Sequence, residues 1–379
     1  MNRLRPVITA FLVGCGVATA ILTSSCSGDD PVYTPGESIA IVSNDLLFPA
    51  EGTTATVQVT AAAPIAATLT ADWCRAAVSG NTVTVTADPN THFEGRTALL
   101  TITAGTARRQ LPVQQLGMVL DLPMVTTGHY SPAAGDVFTT TIVHTLPMTV
   151  SASHSWIHPV IDGNTLQVTV DSNVGGHIRR GQVFCECAGY ADTLSIAQYD
   201  MQNDVVGSYY MMGYYGGSGQ PAATRFDLIM RHDSLLMHWP QERYADAYIH
   251  IPVDKPACTL FIPSGFTLYS DARTSVNGYF YDTNGTVATA SGAGVTARLA
   301  YSESSGYNSA ALVAANWPGH SLGGFLIRNT SIVSTTLLQL GSPVLMRVGP
   351  VGTVLGEDGA ARLKVNNELS SEGDNNEAE

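Results

Sequence analysis

The sequence predicts an all-β protein: two tandem immunoglobulin-like β-sandwich domains, followed by a tyrosine-rich β-barrel or β-sandwich domain. Three observations support this prediction: short segments with period-two alternation, an internal repeat at a spacing of 83 residues, and a change of composition from Val205 onward. Alternation of this kind, as in residues 82–86, places valines on one face of a strand and threonines on the other. No comparable helical period is present.

Composition and charge narrow the possible functions. Apolar residues make up 45% of the chain and charged residues 13%, and the formal net charge is −13. This balance is typical of folded extracellular β modules. No basic run is longer than the two arginines at 108–109 and at 179–180, so we exclude nucleic acid as a partner.

The N-terminus has the organisation of a signal peptide. A short basic segment precedes the apolar residues 7–22, and the small residues Thr23, Ser24 and Ser25 lead into Cys26. This pattern resembles the lipobox of bacterial lipoproteins, and the resemblance implies that Cys26 is lipidated and becomes the mature N-terminus. Cys15 follows a better lipobox taken alone, but cleavage there would leave apolar residues in the mature chain.

The residues after Cys26 point to the cell surface. Ser27, Gly28, Asp29 and Asp30 resemble the acidic signal that directs Bacteroidetes lipoproteins to the outer face of the outer membrane. We therefore expect a lipid anchor in the cell outer membrane with surface exposure. The alternative interpretation treats these residues as the start of a flexible tether, and both can hold together.

The internal repeat defines the first two domains. An offset of 83 places Trp73 on Trp156, Asn90 on Asn173 and Gln115 on Gln198, and with one inserted residue Arg96 falls on Arg180. About seven short strands per copy, separated by turn residues, predict an immunoglobulin-like sandwich. The single tryptophan of each copy is interpreted as a core residue.

The two copies resemble the BACON domain family. The match rests on the Gly-Asn-Thr turn at 80–82, the Asn-to-Arg stretch at 90–96 and the closing strand at 113–117. The resemblance implies extracellular modules that bind glycan or mucin, or that space a distal domain from the membrane. It assigns no binding residue.

The third domain differs in composition, because eleven of the fifteen tyrosines fall between Tyr209 and Tyr307. Turn signals at residues 232–234 and 282–285 predict two hairpins. The predicted boundaries are a signal peptide at 1–25, a tether at 26–37, BACON-like domains at 38–118 and 119–201, the tyrosine-rich domain at 204–353, and an acidic, disordered tail at 354–379.

Catalytic motifs are weak in this sequence. Residues 319–323 match the G-x-S-x-G nucleophile elbow, but that elbow requires a following helix and a histidine after the serine, and no histidine follows Ser321. A glycosidase needs two carboxylates, and the available acids of the third domain stand in no recognisable motif: Asp227, Asp233, Glu242, Asp246, Asp271 and Asp282. We predict that the protein is not an enzyme.

Metal binding is predicted to be absent as well. Cys185 and Cys187 share a strand face without a second such pair, and His154 and His158 have no third ligand nearby. We expect no cofactor.

The aromatic residues of the third domain are the candidate ligand-binding groups. Flat rings with a polar handle suit the C–H faces of sugars, and we select Tyr214, Tyr215, Trp239, Tyr279 and Tyr281. The preferred function is a non-catalytic surface protein that binds glycan or mucin. The alternatives are a structural or adhesive protein with protein partners, and a surface hydrolase (glycosidase or esterase).

Overall fold

The computed structural model describes residues 38–216, 218–331 and 335–355. The predicted signal peptide, Cys15, Cys26, the tether and the acidic tail from residue 356 lie outside the described residues. In the described ranges, no helix combines the length and the apolar character needed to cross a membrane. The chain divides into two compact units, one of Met1–Asp45, Ala55–Val85 and Leu99–Pro112, and the other of Leu46–Thr54, Thr86–Ala98 and Val113–Glu379.

The first sandwich consists of two four-stranded sheets, ordered β1-β3-β6-β5 and β2-β8-β7-β4. Its strands are β1 (Ile39–Ser43), β2 (Leu47–Phe48), β3 (Thr54–Ala61), β4 (Ile65–Leu69), β5 (Cys74–Ser79), β6 (Thr82–Ala87), β7 (Arg96–Ala104) and β8 (Ala107–Gln115). The short β2 pairs with β8 in parallel, while β1 and β4 pair antiparallel with their neighbours.

The predicted alternation is confirmed in this sandwich. On β6, Val83 and Val85 are buried while the intervening threonines are half-exposed. Val57 on β3 and Ile102 on β7 are buried in the same way. Period-two placement of branched apolar residues therefore provides the inner face of the sandwich, as the sequence pattern requires.

The second sandwich has a four-stranded sheet β10-β17-β16-β13, a three-stranded sheet β11-β15-β14 and a small pair β9-β12. Its elements are β9 (Leu120–Asp121), a 3-10 turn (Pro123–Thr126), β10 (His129–Pro132), β11 (Asp136–Thr141), β12 (Val143–His144), β13 (Met148–Ala152), β14 (Ile157–Asp162), β15 (Thr165–Val170), β16 (Arg179–Cys187) and β17 (Tyr190–Tyr199). Its apolar core includes Leu166, Val168, Val183 and Ile196.

The arginine equivalence that the sequence suggested is wrong. Arg96 Nε donates to Gln115 Oε1 over 2.8 Å, and Arg179 Nε donates to Gln198 Oε1 over 2.7 Å. The 83-residue offset therefore holds at this position without any insertion, and the equivalent of Arg96 is Arg179. Arg180 faces elsewhere, because successive strand residues point to opposite faces.

Trp156 lies at the edge of the core and is only half-buried. The guanidinium of Arg179 lies 4.2 Å from the centre of its ring, a cation–π contact. The tryptophan therefore covers one side of the arginine that fixes Gln198.

The third domain is one curled, half-barrel sheet of thirteen strands. Its strands are β18 (Gly207–Tyr215), β19 (Pro221–Arg231), β20 (Ser234–His238), β21 (Tyr248–His250), β22 (Val253–Asp254), β23 (Thr259–Pro263), β24 (Phe266–Ser270), β25 (Ser275–Asp282), β26 (Gly294–Arg298), β27 (Ala300–Ser302), β28 (Tyr307–Ala315), β29 (Leu322–Asn329) and β30 (Thr335–Gly349). A π-helical turn (Met201–Val205) precedes β18, and a 3-10 turn (Glu242–Tyr244) follows β20. The long β30 holds the sheet together, since it pairs with β18, β28 and β29.

One of the two predicted hairpins forms in full. β19 and β20 pair antiparallel across a two-residue turn, with His232 and Asp233 both at positive φ (46° and 62°), as a primed hairpin turn requires. At the Asn284-Gly285 turn the chain folds back over a shorter length: Tyr281 bridges Val287 in antiparallel orientation, and the N–H groups of Asp282 and Ala288 donate to the carbonyls of Thr286 and Phe280, each over 2.8 Å. The second predicted hairpin therefore forms only as a short pairing at the end of β25, whose other edge pairs with β29.

Candidate functional site

Three of the predicted ligand-binding tyrosines lie on one face of the third domain. Tyr281 pairs with Gly324, Gly324 pairs with Gly341, and Gly341 pairs with Tyr214, so the row crosses β25, β29, β30 and β18. Directly opposed residues in antiparallel strands point to the same side of the sheet. Tyr279 lies two residues before Tyr281 and shares that side. We call Tyr214, Tyr279 and Tyr281 the tyrosine face.

Two glycines provide the floor between the rings of the tyrosine face. A Cβ at Gly324 would lie 2.2 Å from Tyr281 Oη, so the ring crosses the glycine directly. Tyr281 Oη donates to the Leu340 carbonyl over 3.2 Å, which fixes the ring across β29. At Gly341 the nearest atom to an added Cβ is the Tyr214 carbonyl oxygen at 3.7 Å. Because neither glycine has a side chain, no side chain rises from β29 or β30 between Tyr281 and Tyr214 in this row.

The tyrosines of this face differ in exposure. Tyr214 is 42% exposed, while Tyr279 and Tyr281 are half-buried. Beneath them Leu326 pairs with Tyr279 and is buried although it lies on this side of the sheet. The arrangement is a shallow aromatic strip rather than a pocket.

The structure separates the two other predicted residues from this face. Trp239 is 0% exposed in the core, and its indole N–H donates to Thr224 Oγ1 over 3.1 Å. Tyr215 is 49% exposed, but it follows Tyr214 directly on β18 and so points to the other side of the sheet. We therefore do not include Trp239 or Tyr215 in the tyrosine face.

The G-x-S-x-G motif forms a turn that leads into a strand. Residues 317–321 form the loop, with Gly319 at φ 82°, and β29 begins at Leu322. A nucleophile elbow is instead followed by a helix. The side chain of the loop that is fixed by specific contacts is His320. Its Nδ1 lies 2.7 Å from Asp282 Oδ2, and its ring stacks on the Trp317 ring with centroids 4.5 Å apart.

Asp282 is held as an anion in this loop. Its side chain is 2% exposed, and Oδ1 accepts the backbone N–H groups of Asn284 and Thr286. The hydrogen bond with His320 is the largest of the influences that lower the pKa of Asp282. The carboxylate therefore orients the imidazole of His320.

Among the described residues, no group of three or more His, Cys, Asp or Glu side chains converges on one point. Cys185 and Cys187 are buried thiols on β16, and burial raises the pKa of both. His158 instead lies 3.0 Å from Asp171.

The second sandwich and the third domain share one continuous core within the second compact unit. Ile178, Ala197 and Tyr199 pack in the same apolar cluster as Leu260 and Leu299. The cluster therefore continues from β17 into the third domain.

Polar contacts reinforce this junction. Arg180 Nη2 donates to the Ala257 carbonyl over 3.0 Å and to the Leu299 carbonyl over 2.6 Å. Tyr199 Oη donates to the Lys255 carbonyl over 3.0 Å. Buried bonds to backbone carbonyls hold the two domains in one fixed relation.

A polar cleft of about 510 Å³ lies at this junction. Its lining includes three asparagines, two aspartates, three aromatic residues and an arginine: Asn173, Asn203, Asn308, Asp200, Asp204, His177, Tyr301, Tyr307 and Arg347. Burial raises the pKa of Asp204, and the backbone N–H of Asp200 is among the groups that oppose the shift. Sequence reasoning missed this site because its residues are distant in the chain and form no motif.

Comparison with known proteins finds one family model and several solved structures that resemble parts of this chain. Residues 63–116 match the family model described as "BACON: Putative binding domain, N-terminal". No curated protein matches the chain. A titin I9–I11 tandem is 9% identical over 79% of this chain and 98% of that chain, with a TM-score of 0.31.

A glycoside hydrolase is also among the similar solved structures. An endo-fucoidan hydrolase of glycoside hydrolase family 107 is 9% identical over 44% of this chain, with a TM-score of 0.25. This chain covers 29% of that hydrolase's length.

Proposed function

We propose that this protein is a non-catalytic surface protein that binds glycan chains, such as plant polysaccharide or mucin glycans, through the tyrosine face. The observation that carries the proposal is the row in which Tyr281 and Tyr214 lie on one side of the sheet across Gly324 and Gly341. A shallow strip of rings with hydroxyl groups matches the alternating C–H and O–H surfaces of an extended sugar chain.

The anchor belongs to the same proposal. Cys26 is the proposed lipidation site, which would attach the chain to the outer membrane of a Bacteroidetes-type cell, and the BACON-like domains would act as binding modules or spacers. Support for this part comes from the sequence, in the apolar residues 7–22 and the acidic Asp29 and Asp30.

Retention of the full-length protein on immobilised plant polysaccharides and mucin glycans tests the binding function. We expect retention on at least one of them, and a loss of about tenfold in affinity for Tyr281→Ala and for Tyr214→Ala. Tyr248→Ala is the matched control, because Tyr248 is 37% exposed on the edge strand β21, away from the tyrosine face.

Two results would contradict the proposal. Absence of retention on every glycan would exclude the binding function and favour protein partners. Release of reducing sugar or fatty acid during incubation would show that the protein is a hydrolase, and His320→Ala would then identify whether the Asp282–His320 pair takes part.

A further inference from the structure

We propose that the cleft at the junction of the second sandwich and the third domain is a separate binding site for a neutral, hydroxyl-rich ligand of one or two sugar units. The inference does not depend on binding at the tyrosine face. Its basis is the combination of fixed walls, unsatisfied acceptors and an aromatic pair in one concave site of about 510 Å³. This volume lies within the roughly 300–1,000 Å³ of typical small-ligand pockets.

The two walls of the cleft come from domains that are bonded to each other. One wall includes residues 173–177 of the second sandwich, and the other includes residues 306–308 and Arg347 of the third domain. Arg180 and Tyr199 join these two domains through partly buried bonds to backbone carbonyls. A site whose walls are already in place loses little conformational entropy when it binds.

Asn308 gives the clearest indication of a missing partner. Its side chain is 5% exposed, and Nδ2 donates to the Asp204 carbonyl over 3.0 Å. Its Oδ1 is buried without a hydrogen-bond partner among the described residues. A buried acceptor left unpaired costs stability, so the cleft favours a ligand or a bridging water that supplies a donor.

The neighbouring carboxylates add further acceptors. Asp204 Oδ2 accepts the backbone N–H of Asp200, and Asp200 Oδ1 accepts those of Gln202 and Asn203. The Asp204 carboxyl group is also hydrogen-bonded by the Asn308 side chain. Acceptors in excess suit the hydroxyl donors of a sugar.

Charge decides against an anionic ligand. Two carboxylates line the cleft against one guanidinium, and Arg347 already donates through Nε and Nη2 to the Val206 carbonyl over 3.0 and 2.8 Å. The residual charge is negative, so a uronic or sialic acid would be repelled at short range.

An aromatic pair completes the site. His177 from the second sandwich and Tyr301 from the third domain stack with ring centres 3.5 Å apart and planes 6° apart. The pair gives a flat apolar surface beside the polar atoms, and sugar-binding sites require both.

Ligand-detected NMR by saturation transfer tests this proposal on the full-length protein. The neutral probes are galactose, N-acetylgalactosamine and fucose, and the anionic probes are glucuronic acid and N-acetylneuraminic acid. We expect a signal for at least one neutral sugar and a weaker signal for both acids. Tyr301→Ala and Asn203→Ala should each weaken the neutral signal about tenfold in affinity.

The controls separate a local loss of binding from a general effect on the protein. Asn203 is exposed, so Asn203→Ala should leave the fold intact, and circular dichroism verifies folding for both variants. Tyr248→Ala, which lies outside both proposed binding sites on the edge strand β21, should leave the monosaccharide signal unchanged. The proposal is overturned by absence of any neutral signal, by preference for the acids, or by insensitivity to both cleft variants.

Discussion

Two buried glutamines fix the loops of the sandwich domains from inside. Gln198 Nε2 donates to the carbonyls of Pro132 and Asp171 over 2.9 and 2.8 Å, and its Oε1 accepts from Arg179.

In the first copy, Gln115 bonds to Pro49, Asp88 and Arg96 in the same pattern. Every polar atom of the amide is therefore paired, which is the condition for a stable polar core residue.

Replacing this glutamine should destabilise the second sandwich. Gln198→Ala removes three hydrogen bonds, one of them to a charged donor, while Arg179 keeps its bonds to the Asp171 and Ser172 carbonyls. We therefore expect a loss of about 2–3 kcal/mol in the free energy of unfolding. Urea unfolding measures the loss, and Gln182→Ala on the exposed side of β16 is the control. Equal stability of Gln198→Ala and Gln182→Ala would show that the amide network contributes nothing.

The hydrogen-bonded carboxylate of Asp282 should make stability depend on pH in the acid range. The pKa of Asp282 is lower in the folded chain than its ordinary value of 3.8, chiefly through the hydrogen bond with His320. Its carboxylate therefore stabilises the fold above that value, and the stabilisation is lost as the pH falls through the folded-state pKa.

Asp282→Asn tests this dependence. We expect the variant to unfold at lower urea than the wild type at about pH 7, with a narrower gap at about pH 3. Asp233→Asn, at the exposed β19–β20 turn, should follow the wild type at both values. A gap that persists in acid would assign the effect to geometry rather than to ionisation.

At the scale of elements, β16 serves two domains with adjacent arginines. Arg179 points into its own sandwich and fixes Gln198, while Arg180 points to the other side and reaches the third domain. At the equivalent position of the first copy, 83 residues earlier, stands Thr97, which is exposed. The duplicated strand therefore acquired a junction role in one copy only.

Removing the junction arginine should loosen the third domain locally. Arg180→Ala deletes both bonds to the Ala257 and Leu299 carbonyls. A hydrogen bond from a charged donor contributes about 1.5–3 kcal/mol to stability. We expect faster backbone hydrogen exchange in residues 255–260 and 297–301, measured by mass spectrometry. Thr97→Ala, the matched position, should change nothing there, and unchanged exchange in Arg180→Ala would exclude the junction role.

The sequence predicted the parts of the fold that depend on local pattern. Period-two alternation located strands such as β6. The polar His232-Asp233 pair predicted a turn, and the structure places both residues at positive φ. It also placed Tyr279 and Tyr281 on one side of β25. It could not bring Tyr214 to the same side, because that needs the register across four strands, including the shift between Met212 and Tyr214.

Long-range partners explain the remaining differences. The second hairpin is short: β29, about forty residues later in the chain, pairs with β25 along its length, while the local turn pairs only with the last residues of that strand. The cleft likewise joins residues 173–177 to residues 301–308 and 347–348. No single-sequence pattern encodes a meeting at such separations, so the cleft emerges only from the folded chain.

At the scale of the whole molecule, charge restricts the class of ligand. A net charge of −13 disfavours binding to polyanions. The tyrosine face offers rings and hydroxyl groups, and the cleft offers amide and carboxylate acceptors with a residual negative charge. The proposed binding chemistry and the overall charge therefore favour the same class of ligand, an uncharged glycan.

The proposed anchor gives the last prediction. A lipoprotein cysteine carries two acyl chains, and two chains give stable membrane attachment where one gives only marginal binding. Labelling cells with an alkyne fatty acid should therefore tag the wild type and Cys15→Ala, while Cys26→Ala should be unlabelled and leave the membrane fraction. Labelling of Cys26→Ala together with its loss in Cys15→Ala would move the anchor to Cys15, and the apolar residues 17–22 would then belong to the mature chain.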